Sequence, residues 1–320
     1  MKYLVKRIIH LDYKNMFKIA KKISKKTKKN RLLIVFDMIN CGLKYQAGYY
    51  DYQEFEFYNL TKEERLTYLT RGKNDAIVKK YNDKSSWYKF DDKIIFNEIF
   101  KKYLGRDYID LRSCTKKELE EFLKNKDDVI YKPIAGDGGH GIEKVPVKEA
   151  INLIGNNGLL EEVVVQHKEL GKLYNNSVNT LRIFTLLVDN KPNVIQTILK
   201  IGNGGIIDNF SSGGMYTFLN EKGIVSVPAI DQADNIYKTH PITKEKIVGF
   251  KVPMYDKALK LVREASKLVP EIAYIGWDVA ITEKGPVIIE GNCYPGVFQI
   301  KPSFLEKKVG ILPKYEDILK

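Results

Sequence analysis

The chain has 320 residues, 44% of them hydrophobic and 29% charged, with a formal net charge of +13; this length allows a sizeable core in one or two domains. No apolar run approaches the roughly 18–20 residues of a spanning helix, and the N-terminus lacks the uncharged apolar core and small-residue cleavage site of a secretory signal. Cys41, Cys114 and Cys293 are scattered and odd in number, which argues against a disulfide framework and fits a reducing, cytoplasmic setting, and no Cys/His grouping has zinc-ligand spacing.

The positive charge is local. Residues 1–31 hold about twelve Lys and Arg against the single acid Asp12, so the remainder is nearly neutral, unlike a whole nucleic-acid-binding surface. Residues 1–30 read as a basic amphipathic helix, with Leu4, Val5, Ile8, Ile9, Leu11, Met16, Ile19 and Ile23 near helical spacing. Such a helix either lies on an anionic membrane surface or packs on its own domain with a solvated lysine face. Residues 31–90 form a second N-terminal region with the apolar run RLLIVFDMI and the aromatic stretch YQAGYYDYQEFEFY. Its tyrosines either stack on sugar rings or pack half-buried. Thr61 with Glu64, and Thr115 with Glu118, have the spacing of capping boxes at helix starts.

From residue 128 strands dominate. DVIYKPI and IEKVPV bracket a glycine loop, EEVVVQH follows, and NTLRIFTLLV and NVIQTILKI are joined by the turn-type stretch Asp189–Pro192. YDKALKLVREASKLV has helical spacing, and IAYIGWDVAIT and PVIIEGN read as a strand pair across Glu283-Lys284-Gly285.

The glycine loop, Gly136-x-Gly138-x-x-Gly141, has dinucleotide-fingerprint spacing. That fingerprint must open a helix, whereas the residues after Gly141 are Ile-Glu-Lys-Val-Pro-Val and begin another strand. No Gly-Lys-Ser/Thr follows, so a Walker loop also fails. What remains is a glycine-rich hairpin preceded by Lys132, either a phosphate cradle or a plain turn. Asp278 and Glu290 fall on the neighbouring C-terminal strands, with Asn292 on the same face as Glu290 by period-two alternation. Buried carboxylates that face each other need a cation between them or basic partners. Sparse hard oxygen ligands of this kind suit Mg2+.

The order of lysine, glycine loop, glutamate-bearing hinge, Asp, then Glu-x-Asn resembles the ATP-grasp superfamily. YKPIAGDGGHGI, SVNTLRIFT and IGWDVAITEKGPVIIEGN are similar to the sugar-transfer-associated ATP-grasp family of polysaccharide biosynthesis. The resemblance runs from about Asp91 to Gly296 and implies an α+β ATP-grasp fold, two subdomains with ATP between two antiparallel sheets. It divides the chain into the helix 1–30, the region 31–90 for acceptor recognition, and a catalytic domain 91–320 with lobes 91–167 and 168–320. The resemblance further implies that Lys93 and Lys132 reach the ATP phosphates under a flap of Gly136, Gly138 and Gly139. Adenine would meet the hinge at Glu161, Glu162, Val163, Val164 and Val165, and the ribose would meet Glu169. Arg182 would sit beside the transferring phosphate. Asn179, Lys200, Asn209, Gly213 and Gly214 would lie against the acceptor, and Asp278, Glu290 and Asn292 would hold one or two Mg2+ ions, with Mn2+ as an alternative. Cys293 reads as a packing residue and His140 as exposed.

The implied activity is an ATP-dependent carboxylate–amine ligase forming an amide through an acyl phosphate, joining an amino acid to a uronic acid of a surface polysaccharide or its precursor. The competing classes are an ATP-dependent phosphotransferase on a sugar or glycan and a non-catalytic polyanion- or membrane-binding protein. The expected location is the cytoplasm, with peripheral contact at the inner face of the membrane through residues 1–30.

Overall fold

A computed structural model describes residues 12–135, 141–205 and 208–320. The chain divides into two compact units, Met1–Lys80 with Gly296–Lys320, and Tyr81–Pro295. The expected catalytic domain 91–320 differs from this division in its last stretch, because Gly296–Lys320 groups with the N-terminal residues.

The first unit is helical. Its helix Tyr13–Thr27 starts where the Asp12 carboxylate accepts the Asn15 N–H (3.0 Å) and stops at Lys28 in the left-handed conformation. Met16, Ala20 and Ile23 face inward; positions 1–11 of the expected helix lie outside the described residues. The apolar run forms the helix Arg31–Tyr45, capped by Asn30, and buries Ile34, Val35, Met38, Cys41 and Tyr45. In the aromatic stretch Tyr52, Phe55, Phe57 and Tyr58 are buried, so packing accounts for most of it. Asp37 accepts a fork from Arg65 Nη1 and Nη2 (2.8 and 2.6 Å) and a bond from the Tyr52 hydroxyl (2.8 Å). The Thr61–Glu64 box caps the helix Lys62–Leu66. The C-terminal stretch is tied in by the Gln299 amide, which accepts from Leu69 N (3.0 Å) and donates to Leu69 O (2.7 Å).

The second unit holds two antiparallel sheets. The smaller has the order β1-β4-β2-β3, with β1 Tyr108–Asp110, β2 Asp128–Pro133, β3 Glu143–Pro146 and β4 Gly158–Glu162. β2 and β3 pair antiparallel with Tyr131 opposite Glu143, as expected of the strands on either side of the glycine stretch. The larger sheet has the order β11-β10-β5-β6-β7-β8-β9. Its strands are β5 Thr180–Val188, β6 Lys191–Ile201, β7 Met215–Phe218, β8 Ala229–Asp231, β9 Ile236–Tyr237, β10 Tyr274–Thr282 and β11 Gly285–Asn292. β5 and β6 turn through Asp189 and Asn190, both at positive φ (49° and 59°), the two-residue turn whose twist suits a hairpin. One face of this sheet presents Leu181, Ile183, Trp277, Val279 and Ile288 to Ala258, Val262 and Ala265 of the helix Tyr255–Ala265. That packing leaves the opposite face to carry polar chemistry.

One strand assignment is corrected. EEVVVQH does not continue as a strand: β4 ends at Glu162, residues 163–167 enter no ladder, and a short helix spans Lys168–Leu173. The β-branched valines promised a strand, but the His167 side chain caps the next helix by accepting the Glu169 N–H (3.2 Å).

Candidate active site

Across β5, β10 and β11 three side chains stand in register. Arg182 is opposite Asp278, and Asp278 is opposite Glu290. Lys200 lies two residues from Ile198, the β6 partner of Arg182, so alternation puts it on the same face. Arg182 Nε and Nη2 donate to the two Asp278 carboxylate oxygens (2.6 and 2.9 Å), and Lys200 Nζ donates to Asp278 Oδ2 (3.2 Å) and Asn209 Oδ1 (2.7 Å). Asp208 pairs with Lys200 (3.3 Å) and accepts from Thr180 N (2.9 Å). Asp278 therefore has the basic partners that the sequence reading weighed against a metal.

Glu290 is different. Burial raises its pKa, and the charge of Asp278 across the strand pair raises it further, with Arg182 and Lys200 only partly offsetting this. Asp278 itself is lowered to about 2: burial opposes ionisation, but Arg182 and Lys200 outweigh it. A buried charged carboxylate, Asp278, beside a half-buried one that resists its charge, Glu290, makes a place where a cation relieves strain. Among the described residues no cluster of three or more His, Cys, Asp or Glu side chains is arranged to hold a metal ion. An ion at this place would have two carboxylates and the Asn292 amide oxygen as protein ligands. Asn292 Oδ1 already accepts the Tyr294 N–H (2.8 Å), which orients it. Few hard oxygen donors, with positions left for water and phosphate, fit Mg2+.

Lys93, Lys132, Glu161, Glu290 and Asn292 line one cavity of about 610 Å³, within the usual range for a small-molecule site. Lys93 opens the helix Lys93–Ile99, whose N-cap Asp92 accepts from Ile94 N (2.8 Å) and Ile95 N (3.1 Å). The Lys93 N–H donates to Ile134 O (3.2 Å), tying the helix start to the end of β2. Trp87, Phe90 and Phe96 supply apolar wall.

Lys132 is held by a partner no motif revealed. The Glu161 carboxylate accepts from Lys132 (2.6 Å), from Arg106 Nε and Nη2 (2.8 and 3.1 Å) and from Asn97 Nδ2 (3.0 Å). Although burial pushes its pKa up, Arg106 and Lys132 hold Glu161 well below the usual carboxylate range. Arg106 also donates to Ile288 O (2.6 Å) and Ile289 O (3.1 Å). These carbonyls lie at a β-bulge, where Asp278 pairs with Glu290 but Val279 pairs with Ile288. The bulge breaks the ladder and frees carbonyls that need a donor, and the buried Arg106 supplies it. One guanidinium thus links the strand behind Lys132 to the strand bearing Glu290. An acid in the apolar strand Leu159-Leu160-Glu161 was the available signal for a buried cation, but not for which one.

The remaining expected residues divide. Glu161 lines the cavity with its carboxylate committed to Arg106, Lys132 and Asn97. Glu162 accepts from Asp107 N (3.0 Å) and pairs with Lys126 (3.2 Å). Val163, Val164 and Val165 are outside the cavity lining, with Val163 and Val165 exposed. Glu169 pairs with Lys172 on the short helix (2.7 Å), away from that lining. Asn179 is a buried clamp: its amide donates to Leu170 O (3.0 Å) and Tyr174 O (2.7 Å) and accepts from Gly202 N (3.0 Å). Gly213 has a positive φ of 93°, and a Cβ on Gly214 would lie 2.2 Å from Asp208 O, so both glycines shape the loop holding Asp208 and Asn209. Gly136, Gly138, Gly139 and His140 lie outside the described residues. Cys293 is buried with its thiol pushed up to about 12 by desolvation, as befits packing.

Residues 151–309, just under half of the chain, match the family described as sugar-transfer associated ATP-grasp. No curated protein matches. Among solved structures, the ATP-grasp ligase PsnB complexed with a phosphomimetic variant of minimal precursor, Mg and ADP is similar at 13% identity and TM-score 0.42, over 75% of this chain and 60% of that chain. The D-alanyl-alanine synthetase A of Vibrio cholerae O1 biovar eltor is similar at 12% identity and TM-score 0.40, over 68% and 60% of the two chains. The L-amino acid ligase of Bacillus licheniformis is similar at 14% identity and TM-score 0.38, over 64% and 40%. This chain thus spans less than two thirds of the length of each.

Proposed function

We propose that this chain, whose segment 151–309 matches the sugar-transfer associated ATP-grasp family, is a member of the ATP-grasp superfamily and an ATP-dependent carboxylate–amine ligase. The carboxylate is that of a uronic acid on a surface polysaccharide or its precursor, and the amine that of an amino acid. One observation carries the reading: two cleft lysines and the Glu290–Asn292 pair line a single cavity, with Asp278 and Arg182 in register behind Glu290.

In this reading Lys93 and Lys132 neutralise the nucleotide phosphates, with Glu161 and Arg106 fixing the aim of Lys132. Mg2+, when held by Asp278, Glu290 and Asn292, supplies Lewis-acid neutralisation of phosphate oxygens. Arg182 spends Nε and Nη2 on Asp278, so Nη1 is its nitrogen for a phosphoryl or carboxylate oxygen. The acceptor carboxylate oxygen attacks the γ-phosphorus and ADP leaves; the amine then attacks the acyl carbon, loses a proton, and phosphate departs as the C–N bond forms. The protein contributes positioning and charge, so no side-chain nucleophile is needed.

The test is mass spectrometry of products from purified protein, ATP, Mg2+, uronate-bearing glycans and an amino-acid mixture. An amide formed one-for-one with ADP supports the reading, while a phosphorylated sugar without amide, or no ADP at all, overturns it. Mg-ATP at a hundredfold its Kd should add about 2.7 kcal/mol of stability, a rise of roughly 5–10 °C in melting midpoint.

A further inference from the structure

The helix Arg31–Tyr45 is apolar on two faces, and only one of them is covered. Ile34, Val35, Met38, Cys41 and Tyr45 are buried, whereas Leu32 (61% exposed), Leu33 (68%), Phe36 (68%) and Leu43 (51%) face solvent. At roughly 3.6 residues per turn the four exposed side chains fall within about a third of the helix circumference, opposite the buried set. A lone exposed leucine needs no explanation, but four large apolar side chains on one arc of a helix, interrupted only by the exposed Asn40, do.

The preceding helix, Tyr13–Thr27, supplies the second half of the surface. It carries Lys14, Lys18, Lys21, Lys22, Lys25 and Lys26 and contains no acid. The two helices touch at Arg31, the residue before Leu32, which stacks 5.4 Å over the Phe17 ring and donates to Phe17 O (3.2 Å). Phe17 and Tyr13 are themselves exposed.

We infer that these two helices form a docking face for an anionic lipid bilayer, with Leu32, Leu33, Phe36 and Leu43 entering the acyl boundary and the lysines meeting the headgroups. An apolar stripe bordered by a band of one charge sign complements the edge of an anionic bilayer, apolar below and negative above. A second copy of this chain fits poorly, because a self-complementary pairing would bring one lysine band against another. This inference is independent of the reading of the cleft, since binding is measured without nucleotide or substrate.

The test is co-sedimentation of the full chain with vesicles of phosphatidylcholine alone, and of equal parts phosphatidylcholine and phosphatidylglycerol. Binding is expected only with the anionic vesicles, weakening with salt. The double variant Leu33→Ser with Phe36→Ser should lose roughly tenfold or more in partitioning, and Lys18→Glu with Lys21→Glu roughly 25-fold or more. All four positions are on the surface, so an unchanged melting midpoint in each variant certifies the fold. Three results overturn the inference: no sedimentation with anionic vesicles, wild-type binding by the serine variant, or a wild-type dimer that the serine variant converts to monomer.

Discussion

Glu161→Gln tests whether the charge cluster behind Lys132 is as buried and as interdependent as its geometry states. The change keeps volume and removes one negative charge facing Arg106 and Lys132, whose side chains are 2% and 9% exposed. Deleting one partner of a buried pair typically costs about 3–5 kcal/mol, because the remaining charge stays buried without compensation. Here two cations would be left, and the new amide N–H groups would point at donors. For a unit of this size, Tyr81–Pro295, that converts to a fall of roughly 6–20 °C in melting midpoint. The pH dependence gives a second signature. Glu161 has a depressed folded pKa against its ordinary 4.5, so its contribution is complete above that value and lost only as the pH falls through the lower folded pKa. Wild type and variant should therefore differ fully at neutral pH and converge only in strong acid. Thermal and urea melts across pH measure both effects. A neutral-pH difference under about 1 kcal/mol, or convergence already near the ordinary glutamate value, would refute the cluster as described.

Glu290→Gln should abolish magnesium-dependent turnover, a loss of roughly a hundredfold or more. The raised pKa of Glu290 means its charge costs stability increasingly as pH climbs from the ordinary value through the raised one, so the glutamine variant without Mg2+ should melt at or above wild type at alkaline pH. Calorimetry and ADP release in parallel check this, and full activity would refute the metal assignment. Gly276→Ala places a Cβ 3.1 Å from Arg182 Nη1 and 3.0 Å from the Pro295 side chain. Turnover should fall roughly tenfold to a hundredfold through displacement of that nitrogen, with little change in the affinity for Mg-ATP; unchanged turnover removes Nη1 from the reacting centre.

Much of this protein was legible in its residues because local patterns are read locally. Strand alternation and turn chemistry located β2, β3, β5, β6, β10 and β11, and the strand pattern after Gly141 by itself excluded a dinucleotide turn. Period two put Glu290 and Asn292 on one face, and the pairing register then set Asp278 opposite Glu290. The limits appeared where the deciding partner is remote in sequence. Val163–Val165 have strand composition, yet the chain leaves the ladder there. Glu161 looked like a hinge acid, yet its partners Arg106 and Asn97 come from elsewhere in the chain, and the bulge carbonyls that complete Arg106 come from β11. Likewise nothing in RLLIVFDMI tells which of two apolar helix faces is covered. Sequence by itself determined the elements, their alternation and the acids and lysines available for chemistry. Only the tertiary structure decided which charges neutralise one another, because burial and a counterion at hydrogen-bond distance are properties of folded neighbours and not of spacing along the chain.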